Sequence, residues 1–199
     1  MLNNKELGFS SASETLNYGV ENTKGDIIVF VHQDIELLDR DLLKNLVEYC
    51  DNYEFGIGGV AGVVESTKKV YSSVVNGENR VQAGEPISEP VKVDACDECL
   101  FFVKRKDFLG FENLGNTWHL YSIEYSMRCQ DKGKSAFVFP LPVFHLSPGW
   151  SMSSDYWTTL YKIGQKYKLR KKTPTTVGVY DNGLILPVYI GLKKMKNAL

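Results

Sequence analysis

The sequence predicts a layered α/β fold, and three observations carry the prediction. Amphipathic and apolar segments alternate from residue 10 to residue 64 in the order helix, strand, helix, strand. The apolar run Ile27–Val31 stops abruptly at His32, Gln33 and Asp34, where a buried strand would reach solvent. An amphipathic segment at 119–132 is followed by a short apolar and aromatic stretch at 135–139, which repeats the helix-to-strand step.

Each element has its own warrant. Residues 10–23 carry Ser and Glu early, apolar or small residues at Ala12, Leu16, Gly19 and Val20, and Gly25 beyond the end, as a helix with a glycine stop does. Ile27–Val31 is too short for a membrane span and β-branched enough for a central strand covered on both faces. Asp39 then caps a helix whose Leu42, Leu43, Leu46, Val47 and Cys50 fall on one face. Residues 57–64 form a strand of small and apolar residues. The text Gly56-Ile-Gly-Gly-Val-Ala61 follows a helix and enters a strand, the reverse of a dinucleotide-binding turn, and reads as close packing.

Residues 65–90 lack periodicity and are rich in Asn, Gly, Pro and Ser, so a long surface excursion is expected there. The runs 91–95 and 99–104 form a bent strand or hairpin that presents Asp94, Cys96, Asp97 and Glu98. In the helix at 119–132, Leu120, Ile123 and Met127 point inward, Glu124 and Arg128 stand at i and i+4, and Gly133 is the stop. A strand at 135–139 precedes Pro140, Pro142 and His145. A last helix at 151–172 ends in a basic stretch from Lys162 to Lys172.

Length and composition fit one core with a trailing appendage, divided here as 1–150 and 151–199. A net charge of −1 gives no global field to gather nucleic acid, so no nucleic-acid partner is expected. No leader-like start or membrane-length apolar run is present, which makes a cytoplasmic location the expectation. Cys50, Cys96, Cys99 and Cys129 include one Cys-x-x-Cys pair without a second to complete a zinc site. Cys99 leads into a strand rather than a helix, so buried free thiols are expected.

Taken in order, Ala12, Asn17 and Gly19, Lys24-Gly25-Asp26, the strand ending His32-Gln33-Asp34, then Trp118-His119-Leu120-Tyr121 and finally His145-x-Ser147 resemble family 2 glycosyltransferases of the GT-A fold. The branch resembled has His-Gln-Asp in the usual Asp-x-Asp position, and the likeness runs over about residues 9–150. It implies a GT-A-like mixed sheet flanked by helices, shortened at the N-terminus, because only some twenty-five residues precede the Asp34 strand where the family has a nucleotide-holding strand, helix and strand.

The resemblance also implies roles. Asp34 matches the metal-holding aspartate, with His32 where an acidic residue is usual, and His145 as a further metal or diphosphate ligand. His32, Gln33 and Asp34 would hold the donor diphosphate. The cofactor implied is a divalent cation, Mn²⁺ or Mg²⁺, and an imidazole at His32 suits Mn²⁺ better. An inverting transfer needs a base at the acceptor hydroxyl. The family's acidic pair at the start of the helix near Trp118 is missing as written, which leaves Glu124, Asp97 and Glu98 as candidates, with Trp118 and His119 on the acceptor side.

The implied partners are a nucleotide-sugar donor and a carbohydrate or lipid-linked acceptor such as a polysaccharide precursor. The basic stretch 162–172 either holds the protein at the inner face of a membrane or is a solvated helix end. Each site residue also has a plain structural reading: Asp34 as a turn or cap residue, His145 as a satisfied histidine beside a turn, Glu124 as the partner of Arg128. A non-catalytic sugar- or partner-binding module that has lost its donor half is the alternative function, and metal-dependent hydrolysis by His32, Asp34 and His145 a more distant one.

Overall fold

The computed structural model describes residues 4–147 and 152–183. A short helix α1 (Asn4–Leu7) precedes α2 (Ala12–Glu21), which Ser11 caps by accepting a hydrogen bond from the Glu14 N–H. Asn17 ties α2 to the loop before α4. Its amide donates to the Phe111 carbonyl and its oxygen accepts from the Phe111 N–H, both at 2.8 Å.

The central five-stranded sheet runs in the order Ile27–Val31, Leu100–Lys104, Ile57–Gly59, Ala136–Val138, Val91–Val93. All neighbours are antiparallel except Ile57–Gly59 with Ala136–Val138. Leu100–Lys104 is an interior, two-sided strand, every residue of which is buried. Its alternation divides the core: Phe101 and Val103 join Phe30, Phe111, Tyr125 and α2, while Leu100 and Phe102 join Leu42, Leu46, Phe55 and Phe139 beneath α3 (Leu42–Asn52).

Ile27–Val31 corrects the expectation of a central strand. Among the described residues it lies at the sheet edge, paired only with Leu100–Lys104, and Val29 and Val31 are 36% and 53% exposed. An apolar run of this length does not distinguish a two-sided strand from an edge strand. The α3 reading is corrected in part as well. Leu42, Leu46 and Cys50 are buried, but Leu43 and Val47 lie on the exposed flank. The residue at the N-cap is Asp41, and Asp39 instead accepts from the Asp41 N–H and the Asn45 amide.

The expected strand 57–64 is two strands, Ile57–Gly59 and Ala61–Val64, which part at Val60 and enter different sheets. The glycines permit the close approach. A Cβ on Gly58 would lie 2.7 Å from the Phe102 ring and 2.8 Å from Phe139, and one on Gly62 2.7 Å from the Ala95 carbonyl oxygen. The second sheet runs Ala95–Cys96, Ala61–Val64, Lys69–Ser72, Glu85–Pro86, and the third Ile35–Leu37, Val143–His145, Val74–Asn76, Val81–Gln82. Residues 65–90 are therefore not a structureless excursion. Their short strands pair into both smaller sheets, and their low periodicity reflects two- to four-residue strands rather than loop.

Helix α4 (Tyr121–Asp131) packs beside Ala95–Cys96. Ser122 Oγ donates to the Cys96 carbonyl at 2.9 Å, and Ser126 Oγ accepts from the Cys96 N–H at 3.1 Å. Helix α5 (Ser154–Lys166) lays Tyr156, Trp157, Leu160 and Ile163 on Ile123 and Met127. It ends well before 172, and Lys172–Thr175 and Gly178–Asp181 form a hairpin instead. Pro174 suits the hairpin, since it lacks an N–H and disfavours helical backbone at Thr173. All four cysteines are free and buried, as the sequence implies. Among the described residues, no helix is long and apolar enough to cross a membrane.

Candidate functional site

The strand Ile27–Val31 delivers His32 to the sheet edge, and the His32 N–H continues the ladder to the Cys99 carbonyl at 2.9 Å. The chain turns through Gln33 and Asp34 into Ile35–Leu37, which pairs antiparallel with Val143–His145 so that Ile35 stands opposite His145. The Leu146 N–H closes this corner on the Asp34 carbonyl at 3.0 Å. Two strand ends thus bring together the side chains of His32, Asp34 and His145.

One ligand atom from each of the three lies within 4.8 Å of the others. His145 Nε2 is 3.4 Å from Asp34 Oδ1 and 3.1 Å from Ser147 Oγ, and the two imidazole rings are 5.8 Å apart. Ligands sharing one cation at ordinary bond lengths of about 2.0–2.2 Å are separated by at most about 4.4 Å, so a contraction of a few tenths of an ångström accommodates a cation. Two imidazoles and one carboxylate suit Mn²⁺ or a similar transition metal, whereas Mg²⁺ favours oxygen alone. Burial is the main cause that holds the His32 pKa below its usual value. His145 reinforces the effect, while Asp97 and Asp34 oppose it. A neutral imidazole is the ligating form.

The cluster opens into a cleft of about 1730 Å³. Gln33 is exposed at its rim, Asn76 and Gln82 line one wall, and Trp118, His119 and Tyr156 another. Trp118, which lines the cleft, is 48% exposed. His119 meets Tyr156 edge-on at 5.8 Å. Trp118 and His119 precede α4, whose first turn follows Leu120 in the left-handed region at φ 66°.

Asp97 and Glu98 also line the cleft, in the link between Ala95–Cys96 and Leu100–Lys104. Asp97 has both oxygens engaged, Oδ1 by the Cys99 N–H at 3.0 Å and Oδ2 by the Thr176 hydroxyl. Glu98 is directed at the start of α4. Burial foremost, then the charge of Asp97, raises its carboxyl well above the usual range, while the backbone N–H groups of Leu120 and Tyr121 pull it back.

Glu124 is not brought to the cleft. Its carboxylate is 1% exposed and accepts from Arg128 Nε at 3.0 Å, Lys166 Nζ at 2.6 Å and the Tyr167 hydroxyl at 2.9 Å. Glu112 joins Arg128 and Lys166 in the same network. The basic stretch is partly spent inside the molecule too: Lys162 donates to the Leu114 carbonyl, Lys166 to Glu124, and Arg170 to Gln130, the Met127 carbonyl and Asp131.

A family model described as a glycosyltransferase-like family matches residues 8–175. The chain belongs to the glycosyltransferase-like family. No curated protein matches it. Among solved structures, this family member is similar to one described as the crystal structure of GalNAc-T7 with UDP, GalNAc and Mn²⁺. Identity is 13%, TM-score 0.55, and the match covers 78% of this chain and 34% of that one. A second match, A197 from STIV, has 13% identity and TM-score 0.39 over 67% of this chain and 64% of that one. The chain thus spans about a third of the GalNAc-T7 chain, and the likeness establishes a GT-A-like fold.

Within this glycosyltransferase-like fold, two cleft residues carried no signal in the sequence. Asn76 lies in the stretch without periodicity, and Thr176 sits in a hairpin beyond the helix expected over 151–172. His145 was detectable because its motif is short and local, although Pro148 and Gly149, which follow it, lie outside the described residues.

Proposed function

We propose that this chain transfers a sugar from a nucleotide-sugar donor to a carbohydrate or lipid-linked acceptor. The observation that carries the reading is the meeting of His32, Asp34 and His145 at the mouth of a large cleft in a GT-A-like fold. A divalent cation held there would neutralise the donor diphosphate as it leaves. GalNAc-T7, in the solved structure similar to this one, is described with UDP and Mn²⁺, which supports the same class of ligand here.

Glu98 is the best-placed base. The helix-start region that in the family carries an acidic pair holds His119 and Tyr121, and the Ser122 hydroxyl that follows is committed to the Cys96 carbonyl. Glu98 reaches the same helix start from the neighbouring link. Its raised pKa favours proton acceptance from a hydroxyl, since base strength rises with pKa. Asp97, held by the Cys99 N–H and Thr176, keeps the link in place and adds the charge that raises Glu98. Trp118 offers a face on which an acceptor sugar ring stacks. Glu124 serves the ion network under α4 and α5 instead of the reaction.

The test is release of nucleoside diphosphate from a panel of UDP- and GDP-sugars with Mn²⁺, with and without simple sugar acceptors. Turnover lost in both Asp34→Ala and Glu98→Gln supports the transferase. No turnover with nucleotide binding retained would leave a donor site without transfer, and no nucleotide binding at all would remove the donor site and favour the non-catalytic binding module.

A further inference from the structure

Asn76 Oδ1 is the one buried side-chain nitrogen or oxygen without a hydrogen-bond partner among the described residues. An orphan of this kind carries a desolvation penalty, so an unsatisfied buried oxygen in a native fold calls for a partner that the protein itself does not supply. Its address narrows the choice. Asn76 ends the strand Val74–Asn76, which pairs in parallel with Val143–His145 so that Asn76 and His145 are register partners. In-register neighbours point their side chains to the same face of a sheet. The Gly77 N–H donates to the His145 carbonyl at 2.9 Å, which locks the two strand ends together. Asn76 also lines the cleft into which the His32–Asp34–His145 cluster opens.

We propose that Asn76 supplies a carboxamide oxygen as a fourth ligand to the cation held by His32, Asp34 and His145. The inference rests on the metal reading of that cluster and extends it to a residue of a different strand. A neutral amide oxygen is a hard donor. It completes a mixed nitrogen and oxygen set without adding charge, and so leaves the net positive charge that a diphosphate needs. The same ligation removes the penalty of the orphaned oxygen, so metal binding and local stability are coupled at this residue. The strand Val74–Asn76 would thereby be tied to the metal, and with it the wall of the cleft formed by residues 76–84.

The experiment is Mn²⁺ titration of the whole chain by calorimetry and by electron paramagnetic resonance, together with melting temperatures in chelator and in Mn²⁺. Wild type is compared with Asn76→Ala, Asn76→Asp and His145→Ala. Asn76→Ala should bind Mn²⁺ about 10-fold more weakly or worse, Asn76→Asp more tightly than wild type. The metal-free Asn76→Ala protein should melt no lower than wild type, while its gain in melting temperature on adding Mn²⁺ should shrink. Wild-type Mn²⁺ affinity in both Asn76 variants, with binding lost in His145→Ala, overturns the fourth ligand but leaves the cluster intact. Mn²⁺ affinity unchanged in His145→Ala as well overturns the cluster reading itself.

Discussion

His145 Nε2 stands 3.4 Å from Asp34 Oδ1, and the contact exists because two antiparallel strands, Ile35–Leu37 and Val143–His145, place Ile35 opposite His145. Neither residue is near the other in sequence, and neither is in the central sheet. The third member of the cluster, His32, arrives from that sheet's edge strand. The site therefore depends on the junction between two sheets, and perturbations are separable according to whether they touch the ligands, the acceptor side or the packing beneath.

Glu98→Gln separates function from stability. The Gln carbonyl oxygen can still accept from Leu120 and Tyr121, while the buried charge next to Asp97 is removed. The folded pKa is raised, so the wild-type carboxyl costs stability progressively as pH climbs from its unfolded value through its folded one. At pH 7 the variant should melt higher than wild type and lose about 100-fold or more in turnover. Calorimetric melting and nucleoside diphosphate release measure the two effects.

Glu124→Ala should do the reverse. Removing the acid leaves Arg128, 15% exposed, and Lys166 with the half-exposed Glu112 in place of their buried partner. Loss of one member of a buried ionic network costs about 3 kcal/mol. Urea unfolding should report that loss, and nucleotide binding by the folded fraction should be retained. Loss of binding with unchanged stability would return Glu124 to the candidate bases.

Gly58→Ala tests the packing of the sheet. The new methyl would stand 2.7 Å from the Phe102 ring and 2.8 Å from that of Phe139, two fully buried side chains with little room to move. Overpacking of this kind costs about 1–3 kcal/mol. Gly19→Ala, on α2 with no atom within 4 Å of the added methyl, should be neutral or slightly stabilising under the same denaturant titration.

His119 sets a pH dependence. Burial, its largest influence, lowers its pKa, with Asp155 opposing and His32 adding to the effect. The unfolded chain therefore takes up a proton near 6.5 before the folded one does, and stability falls as pH drops below about 6.5 toward the folded value. His119→Gln should flatten the melting-temperature profile in that window and leave it unchanged above pH 7.5. An unaltered slope would assign the acid sensitivity to other groups.

The α/β layering was legible because Ile27–Val31 and residues 135–139 are short apolar runs and residues 119–132 have helical periodicity, and the cluster of His32, Asp34 and His145 was legible because His32-Gln33-Asp34 and His145-x-Ser147 are local motifs at strand ends. What escaped has a common cause. Whether a strand is central or at an edge depends on partners distant in sequence, so Val29 and Val31 gave no sign of their exposure. Glu124 and Arg128 have surface-pair spacing, yet Lys166 and Tyr167 of the α5 region bury them. Asn76 belongs to a three-residue strand, too short for any pattern to emerge.

The cation site proposed at His32, Asp34 and His145, serving a nucleotide diphosphate, is open to one decisive measurement: calorimetric titration of UDP and GDP into the chain with and without Mn²⁺, repeated on Asp34→Ala. One nucleotide should bind only with Mn²⁺, and Asp34→Ala, still folded, should lose this binding. Nucleotide binding that is indifferent to Mn²⁺ and to Asp34, or absent throughout, would rule the site out.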